Sequence, residues 1–317
     1  MSGAGGRQAA TPDAGAQAAT AVTQAGPQAP WLRALSWLPL PVLYAITGSV
    51  TWLLRHVLHY RVGIARANLQ ACFPDMPRRA VDGVLDRHYR GLGQITAEFI
   101  KVASIRADEL RARVRALHLE RVQAETAAGR SVMLLGAHQC NWEWLLQAVA
   151  LDVGVPVDAA YKPLHSRAAD TALLRLRTRF GARLVPAKKL LREIARRRHA
   201  VHAVCLMADQ MPVSSPTRHW LNFLGRDSAF FPGPAQIVRA TGHAVFFVAM
   251  RRLRRGYYEM EFIQIAAAGE PIESQALTER YARAVEAQVR ACPEDWAWTH
   301  RRWKHARSAA ETAMPSG

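Results

Sequence analysis

The sequence predicts an α/β fold, a mixed and largely parallel β-sheet flanked by helices, with an N-terminal membrane-anchoring helix ahead of it. Three observations point there. Apolar runs of strand length alternate with helix-length stretches along residues 77–290, the order that builds a sheet covered on both faces. The run Ser131–Leu135 (SVMLL) is continuous rather than alternating and is followed by Gly136, as expected of a strand buried on both sides. Residues 34–54 carry no formal charge and are long enough for a hydrocarbon core, which takes about 20 residues.

The elements follow in order. Residues 1–30 are rich in Ala, Gly, Gln and Thr, with Arg7 and Asp13 their only charges, and read as a disordered leader. They lack the basic start and apolar centre of a signal peptide. Residues 31–58 form the anchoring helix. Trp31, Trp37, Tyr44 and Trp52 are spread along it, the outer ones suited to a membrane interface. Pro39 and Pro41 weaken its first turns, and Thr47, Gly48 and Ser49 its middle. A re-entrant or interfacial helix therefore stands as the alternative to a spanning one. Arg55, Arg61 and Arg66 outweigh Arg33 and the nearly neutral leader, which puts the body of the protein in the cytoplasm.

Residues 59–306 make the main domain. Pro77–Ile105 reads as helix and 131–136 as strand, with a helix opening near Asn141. A strand at Pro156–Tyr161 and a helix over 168–180, ended by Gly181, come next. Ala187–Arg198 is a basic helix, Val201–Met207 a strand, and Pro234–Ala240 a helix stopped by Gly242. Ala244–Ala249 and Tyr257–Ile265 form a strand pair joined by the basic turn RRLRRG, and Gln275–Arg290 is the last helix. Residues 307–317 read as a flexible tail.

The 317 residues are half hydrophobic, ample for a core, and carry a net charge of +17. Such a balance implies acidic partners: anionic lipid, an acidic carrier protein or nucleic acid. Cys72, Cys140, Cys205 and Cys292 are scattered, with no CxxC pair, and fit free thiols in a reducing compartment.

Chemistry concentrates at Gly136–Trp144, GAHQCNWEW. His138 lies five positions before Glu143, and an imidazole leaning on a carboxylate is a general base. Five positions on one helix would turn through about 500°, so the two could meet only with His138 on the loop after the strand and Glu143 inside the next helix. Helix N-terminal amides at such a junction also favour developing negative charge. By itself the spacing is weak, and a core histidine is the bland reading. Cys140 has no partner motif that would make it a nucleophile. The H-x-E and P-C-x-x-C of a zinc deaminase are both missing.

The H-x4-E within HQCNWEW resembles the motif of the lysophospholipid acyltransferases, in the branch of lauroyl and myristoyl transferases that makes lipid A. The resemblance runs from about Leu38 to Lys304. It takes in RVGIARANLQACFPD, YKPLH at Tyr161–His165, RLRTRFGARLV at Arg175–Val185, ADQ at Ala208–Gln210 and WAWTHRRWK at Trp296–Lys304. Glycerolipid acyltransferases usually end the motif in Asp and carry a later FPEGT-like block. This chain has Glu143, and its nearest string is FFPGP at Phe230–Pro234, which favours the lipid A branch.

The resemblance implies an acyltransferase in which His138 deprotonates an acceptor hydroxyl and Glu143 fixes its tautomer. The donor would be acyl-acyl carrier protein, with no metal or other cofactor, because the thioester already holds the driving force. It also implies substrate-binding roles for Arg177, Arg179, Asp209, Arg301 and Arg302; guanidinium forks suit a phosphorylated glycolipid. The implied partners are the carrier, a glycolipid and anionic lipid of the bacterial inner membrane, with no nucleic acid, and a monomer is expected. Lys188, Lys189, Arg192 and Arg196–Arg198, or Arg251, Arg252, Arg254 and Arg255, could dock the carrier or the lipid; a solvated charged face is the plainer reading of either cluster. An acyltransferase for a lysophospholipid or an aminolipid is the nearest rival. A basic protein that binds membrane or nucleic acid without catalysis is the rival from another class.

Overall fold

The computed structural model describes residues 30–212, 217–304 and 307. The leader and tail expected at 1–30 and 307–317 lie, apart from Pro30 and Arg307, outside the described residues. The helices are α1 (Pro30–Ser36), α2 (Leu40–His56), α3 (Val62–Cys72), α4 (Arg78–Lys101) and α5 (Ala107–Arg113), followed after β1 (Val114–Leu117) by α6 (Leu119–Ala127). Then come β2 (Val132–Gly136), α7 (Trp142–Asp152), β3 (Val157–Tyr161), α8 (Arg167–Arg177), β4 (Arg183–Pro186), α9 (Leu190–Arg196) and β5 (Ala203–Met207). A hairpin of β6 (His219–Phe223) and β7 (Arg226–Phe230) precedes α10 (Gly233–Thr241), β8 (Ala244–Arg254), β9 (Tyr257–Ala266) and α11 (Ser274–Ala291).

The main sheet has seven strands in the order β1-β9-β8-β2-β5-β3-β4. Every neighbouring pair is parallel except the β8–β9 hairpin. The mixed, largely parallel sheet expected from the alternation of elements is therefore present. Strand periodicity explains why β2 is apolar at every position. Met133 and Leu135 feed the core on one face, Val132 and Leu134 the core on the other. In β8, Val245 and Phe247 oppose Phe246 and Val248 in the same way. Each such side chain contributes roughly 1.5–3 kcal/mol on burial.

Residues 34–54 do not form the single long helix read from the sequence. Pro39 caps α2 and Pro41 lies in its first turn, so the chain breaks, and α1 and α2 meet at a bend of 112°. Among the described residues, no single helix is long and apolar enough to cross a membrane. α2 instead buries a stripe of Leu40, Leu43, Thr47, Thr51 and Arg55 against α4. The two helices touch so closely that a Cβ at Gly93 would lie 2.7 Å from Thr51 Oγ1 and 3.2 Å from the Thr47 carbonyl oxygen. Arg55 pairs with Asp86 at one end of this contact, and Lys101 donates to the Ser36 and Leu38 carbonyls at the other. Those two bonds satisfy acceptors freed at the break.

Other differences have local causes. β1 and β4 have only four residues each, too short for a periodic signal. The β6–β7 hairpin turns on Leu224 and Gly225, both at positive φ as a two-residue hairpin turn needs. The basic helix expected over 187–198 is a 3-10 turn at Ala187–Lys189 followed by α9.

One buried group gives the fold an acid-sensitive joint. His88 of α4 is buried with Nδ1 3.0 Å from the Glu294 carbonyl oxygen, and its Nε2 has no hydrogen-bond partner. Burial, helped by the nearby Arg55 charge, lowers its pKa from 6.5 to about 4. The unfolded chain therefore takes up this proton first as the pH falls. Stability associated with neutral His88 is intact above about pH 6.5 and is lost progressively down to about pH 4. At about 1.4 kcal/mol per pH unit the loss is of order 3 kcal/mol. Urea unfolding between pH 7.5 and 4 should show that decline, and His88→Gln should flatten its slope.

Candidate active site

β2 and β5 are parallel neighbours whose last residues, Gly136 and Met207, are in register. Two residues beyond each strand end stand His138 and Asp209. This is the carboxyl edge of the sheet, where open α/β sheets place their ligands. His138 Nδ1 lies 2.7 Å from Asp209 Oδ1, and the His138 backbone N–H donates to Asp209 Oδ2 at 3.0 Å. Trp296 Nε1–H donates to the same Oδ2, also at 3.0 Å. Asp209 is fully buried, whereas the His138 side chain is 22% exposed. Burial alone would raise the Asp209 pKa. The His138 ring, together with the hydrogen bonds from His138 and Trp296, outweighs burial and holds it below the ordinary carboxylate value.

The loop between β2 and α7 is fixed residue by residue. The Ala297 N–H donates to the His138 carbonyl at 3.1 Å. Gln139 donates to the Gln288 and Cys292 carbonyls, and Cys140 N–H to the Asp295 carbonyl at 2.8 Å. Asn141 caps α7, its side-chain oxygen accepting from Trp144 N–H at 2.9 Å. The Trp296–Lys304 segment is thus a strap across the loop. Asn68 holds the strap from α3, donating to the Trp298 and His300 carbonyls at 2.9 and 3.0 Å. Tyr281 joins the two strand ends, donating to the Gly136 carbonyl and accepting from Ala208 N–H.

Glu143 corrects the sequence reading, which paired it with His138. In the structure the Nδ1 partner of His138 is Asp209, and Glu143 forms a two-pronged ion pair with Arg177 of α8. Arg177 Nε and Nη2 donate to its two oxygens at 2.9 and 2.5 Å. The physical reason is direction. Glu143 sits in the first turn of α7 and faces α8, while the loop turns His138 toward β5. Trp142 stands between the two functions, its ring 5.8 Å from that of His138 and its Nε1–H donating to Glu143 Oε1 at 3.1 Å.

Beside this pair a cleft opens between α7, α8 and the sheet. It encloses about 590 Å³, part of it open to solvent. Trp142, Glu143 and Arg177 form its polar end; Leu134, Leu146, Val149, Ala159, Leu184 and Leu206 are among the apolar side chains along the rest.

The other residues singled out in the sequence separate. Arg179 donates to the Val102 carbonyl and stacks on Phe180, which ties α8 to the end of α4 and away from the cleft. Arg301 is exposed. Arg302 is 1% exposed, its guanidinium 4.6 Å from the Phe230 ring centroid, so it braces the strap from inside rather than meeting phosphate at the surface. Burial lowers its pKa to about 10. The Cys140 thiol is buried and pushed well above its usual pKa, which leaves it unreactive. Sequence reasoning missed Glu98, Tyr258 and Asp295 around the loop, and it grouped Arg252 with a docking cluster, whereas its guanidinium is bonded to Tyr258 and Asp295. The pairing of His138 with Asp209 did leave a signal, because both lie two residues past a strand end.

A family model, bacterial lipid A biosynthesis acyltransferase, matches residues 28–305. The chain belongs to that family. Among its relatives, the lipid A biosynthesis palmitoleoyltransferase of Escherichia coli is 24% identical over 278 residues, 87% of this chain and 89% of the relative. A lipid A biosynthesis acyltransferase of Shigella flexneri matches to the same extent. One from Haemophilus influenzae is 37% identical over 75 residues, 22% of this chain and 24% of the relative. Membership supports an acyltransferase whose substrate is a glycolipid of lipid A biosynthesis, and it bears out the resemblance carried by the motifs.

Proposed function

We propose that the protein transfers a fatty acyl chain from acyl-acyl carrier protein to a hydroxyl of a lipid A precursor, with His138 as general base. The observation that carries this reading is the His138–Asp209 pair, with Trp142 between it and an apolar cleft whose polar end is Glu143 and Arg177. With Nδ1–H donated to a buried carboxylate, Nε2 is the nitrogen that meets the acceptor hydroxyl. His138 takes that proton as the oxygen attacks the thioester carbonyl. The tetrahedral intermediate then expels the carrier's thiol, which recovers the proton from the imidazolium. Asp209 holds the tautomer and balances the transient positive charge. Glu143 keeps Arg177 at the cleft, where its remaining donors can meet a carbonyl or phosphate oxygen. The acyl chain lies along the apolar walls.

The setting is a membrane surface. Among the described residues, ten of the fifteen large exposed hydrophobic side chains fall between Trp31 and Tyr60. Val42, Ile46, Val50 and Leu53 lie on the outer face of α2, with Trp31, Trp37, Trp52 and Leu58 flanking them. Such a patch marks an interaction site rather than ordinary surface. α2 is packed on α4 from end to end, so in this reading it lies in the cytoplasmic interface of the inner membrane, with its outer face in lipid. The β8–β9 turn carries Arg254 and Arg255 beside α2, where Arg255 stacks on Tyr44, and would meet anionic headgroups. Lys188, Lys189 and Arg192 follow the end of β4 on the same sheet edge as His138 and would receive the acidic carrier. Arg197, by contrast, is taken up by the buried Asp158.

The test uses purified full-length protein in detergent, with acyl-carrier or acyl-coenzyme A donors and either a lipid A precursor or a lysophospholipid as acceptor. Transfer to the glycolipid from the carrier thioester is expected. Transfer only to the lysophospholipid would overturn the reading.

A further inference from the structure

We propose that Glu98 is a positioning residue for the acyl-transfer site: through Asn141 it holds the loop that carries His138, and its hold depends on Tyr44 of α2. The proposal rests on the reading of His138 given above. Glu98 is fully buried near the C-terminal end of α4, where an apolar side chain would pack without the cost of desolvating a carboxylate. Three donors from three separate elements converge on it. Tyr44 O–H of α2 reaches Oε1 at 2.7 Å, Tyr258 O–H of β9 reaches Oε2 at 2.6 Å, and Asn141 Nδ2–H meets Oε2 as well. Arg252 donates to Tyr258 Oη at 2.9 Å and to Asp295 Oδ1 at 3.1 Å, which extends the network to the residue that holds Cys140.

The consequence falls on the loop. With one end of its amide on Glu98 and the other capping α7, Asn141 cannot turn without losing both bonds. The Glu98 carbonyl also accepts from Trp144 Nε1–H at 2.8 Å, a second tie between α4 and the first turn of α7. Between Asn141 and His138 lies Cys140 at φ +55°, a left-handed conformation that a non-glycine residue keeps only where its surroundings over-determine it. Glu98 on one side and Asp295 on the other supply that constraint. Tyr44 completes the Glu98 site from the helix whose outer face is apolar and exposed. A disturbance of α2 therefore reaches the loop through one hydroxyl.

Glu98→Gln and Tyr44→Phe, made in the full chain, test this; Tyr44→Phe removes a single oxygen and keeps the helix contact should Glu98→Gln fold poorly. Both should lower kcat by about tenfold to a hundredfold, the size of effect a small misplacement produces, with KM and the shape of the pH profile unchanged. Amide hydrogen exchange at Cys140 and Trp144 should quicken about tenfold while β8 and β9 stay protected. A lower melting temperature with unchanged exchange in 137–145, or quicker exchange with an unchanged kcat, would overturn the proposal. The exchange readout needs no substrate. Failure of the glycolipid assay in the unsubstituted protein would thus count against the function and leave exchange to decide the role of Glu98.

Discussion

His138→Ala is expected to lower turnover by about 10²–10⁴, the usual loss on removing a positioned base. Asp209→Asn should be nearly as damaging although it preserves volume and shape. An asparagine can turn its amide N–H toward Nδ1, which would move the ring proton to Nε2, the nitrogen that has to accept one. The double variant should be no worse than His138→Ala alone, because Asp209 acts only through the imidazole. Purified variants with matching melting temperatures, assayed for acyl transfer, decide the matter. A His138→Ala protein keeping more than half of the normal turnover would end the mechanism. If Asp209→Asn retained full turnover, the tautomer argument would go while the base survived.

Much of the fold could be read from the chain because β2 and the first half of β8 are continuous apolar runs, and β2, β3, β8 and β9 each begin or end at or near a glycine or proline. β2, β3, β5 and the β8–β9 hairpin fall within a few residues of their expected places. What escaped was either too short to show a period, as with β1 and β4, or decided by tertiary contact. Residues 34–54 are apolar enough to suggest one long helix. Pro39 broke it, and the close approach at Gly93, a contact more than forty residues away in sequence, laid the larger piece on α4. The candidate site divides in the same way. His138 was legible because its residue type, the preceding strand and the glycine coincide. Its true partner was harder to find, since Asp209 lies 71 positions later and only the register of β2 against β5 brings the two together. Glu98 left no local trace, because its three partners arrive from α2, β9 and the loop before α7.

The second large effect expected is at the Glu143–Arg177 pair. Both side chains are substantially buried beside an apolar cleft, and each neutralises the other at 2.5 Å. Removing one partner of a buried pair typically costs about 3–5 kcal/mol, because the survivor is left as an uncompensated charge. Glu143→Ala should therefore lower stability by about that much, and it should also lower turnover, because Arg177 is no longer held at the cleft, even though Glu143 does not touch His138. The geometry adds a sharper expectation. Glu143→Ala combined with Arg177→Met should recover part of the lost stability, because the stranded guanidinium is gone and a methionine suits the cleft wall, but not the turnover that depends on Arg177. The coupling measured in a double-mutant cycle should likewise be larger for Glu143 with Arg177 than for Glu143 with His138. If His138 showed the larger coupling, Glu143 would be acting on the base after all, and the ion pair with Arg177 would be secondary. With Arg177 dominant, the carboxylate of the H-x4-E motif serves to aim an arginine at the acyl donor, and the support of the imidazole passes to Asp209.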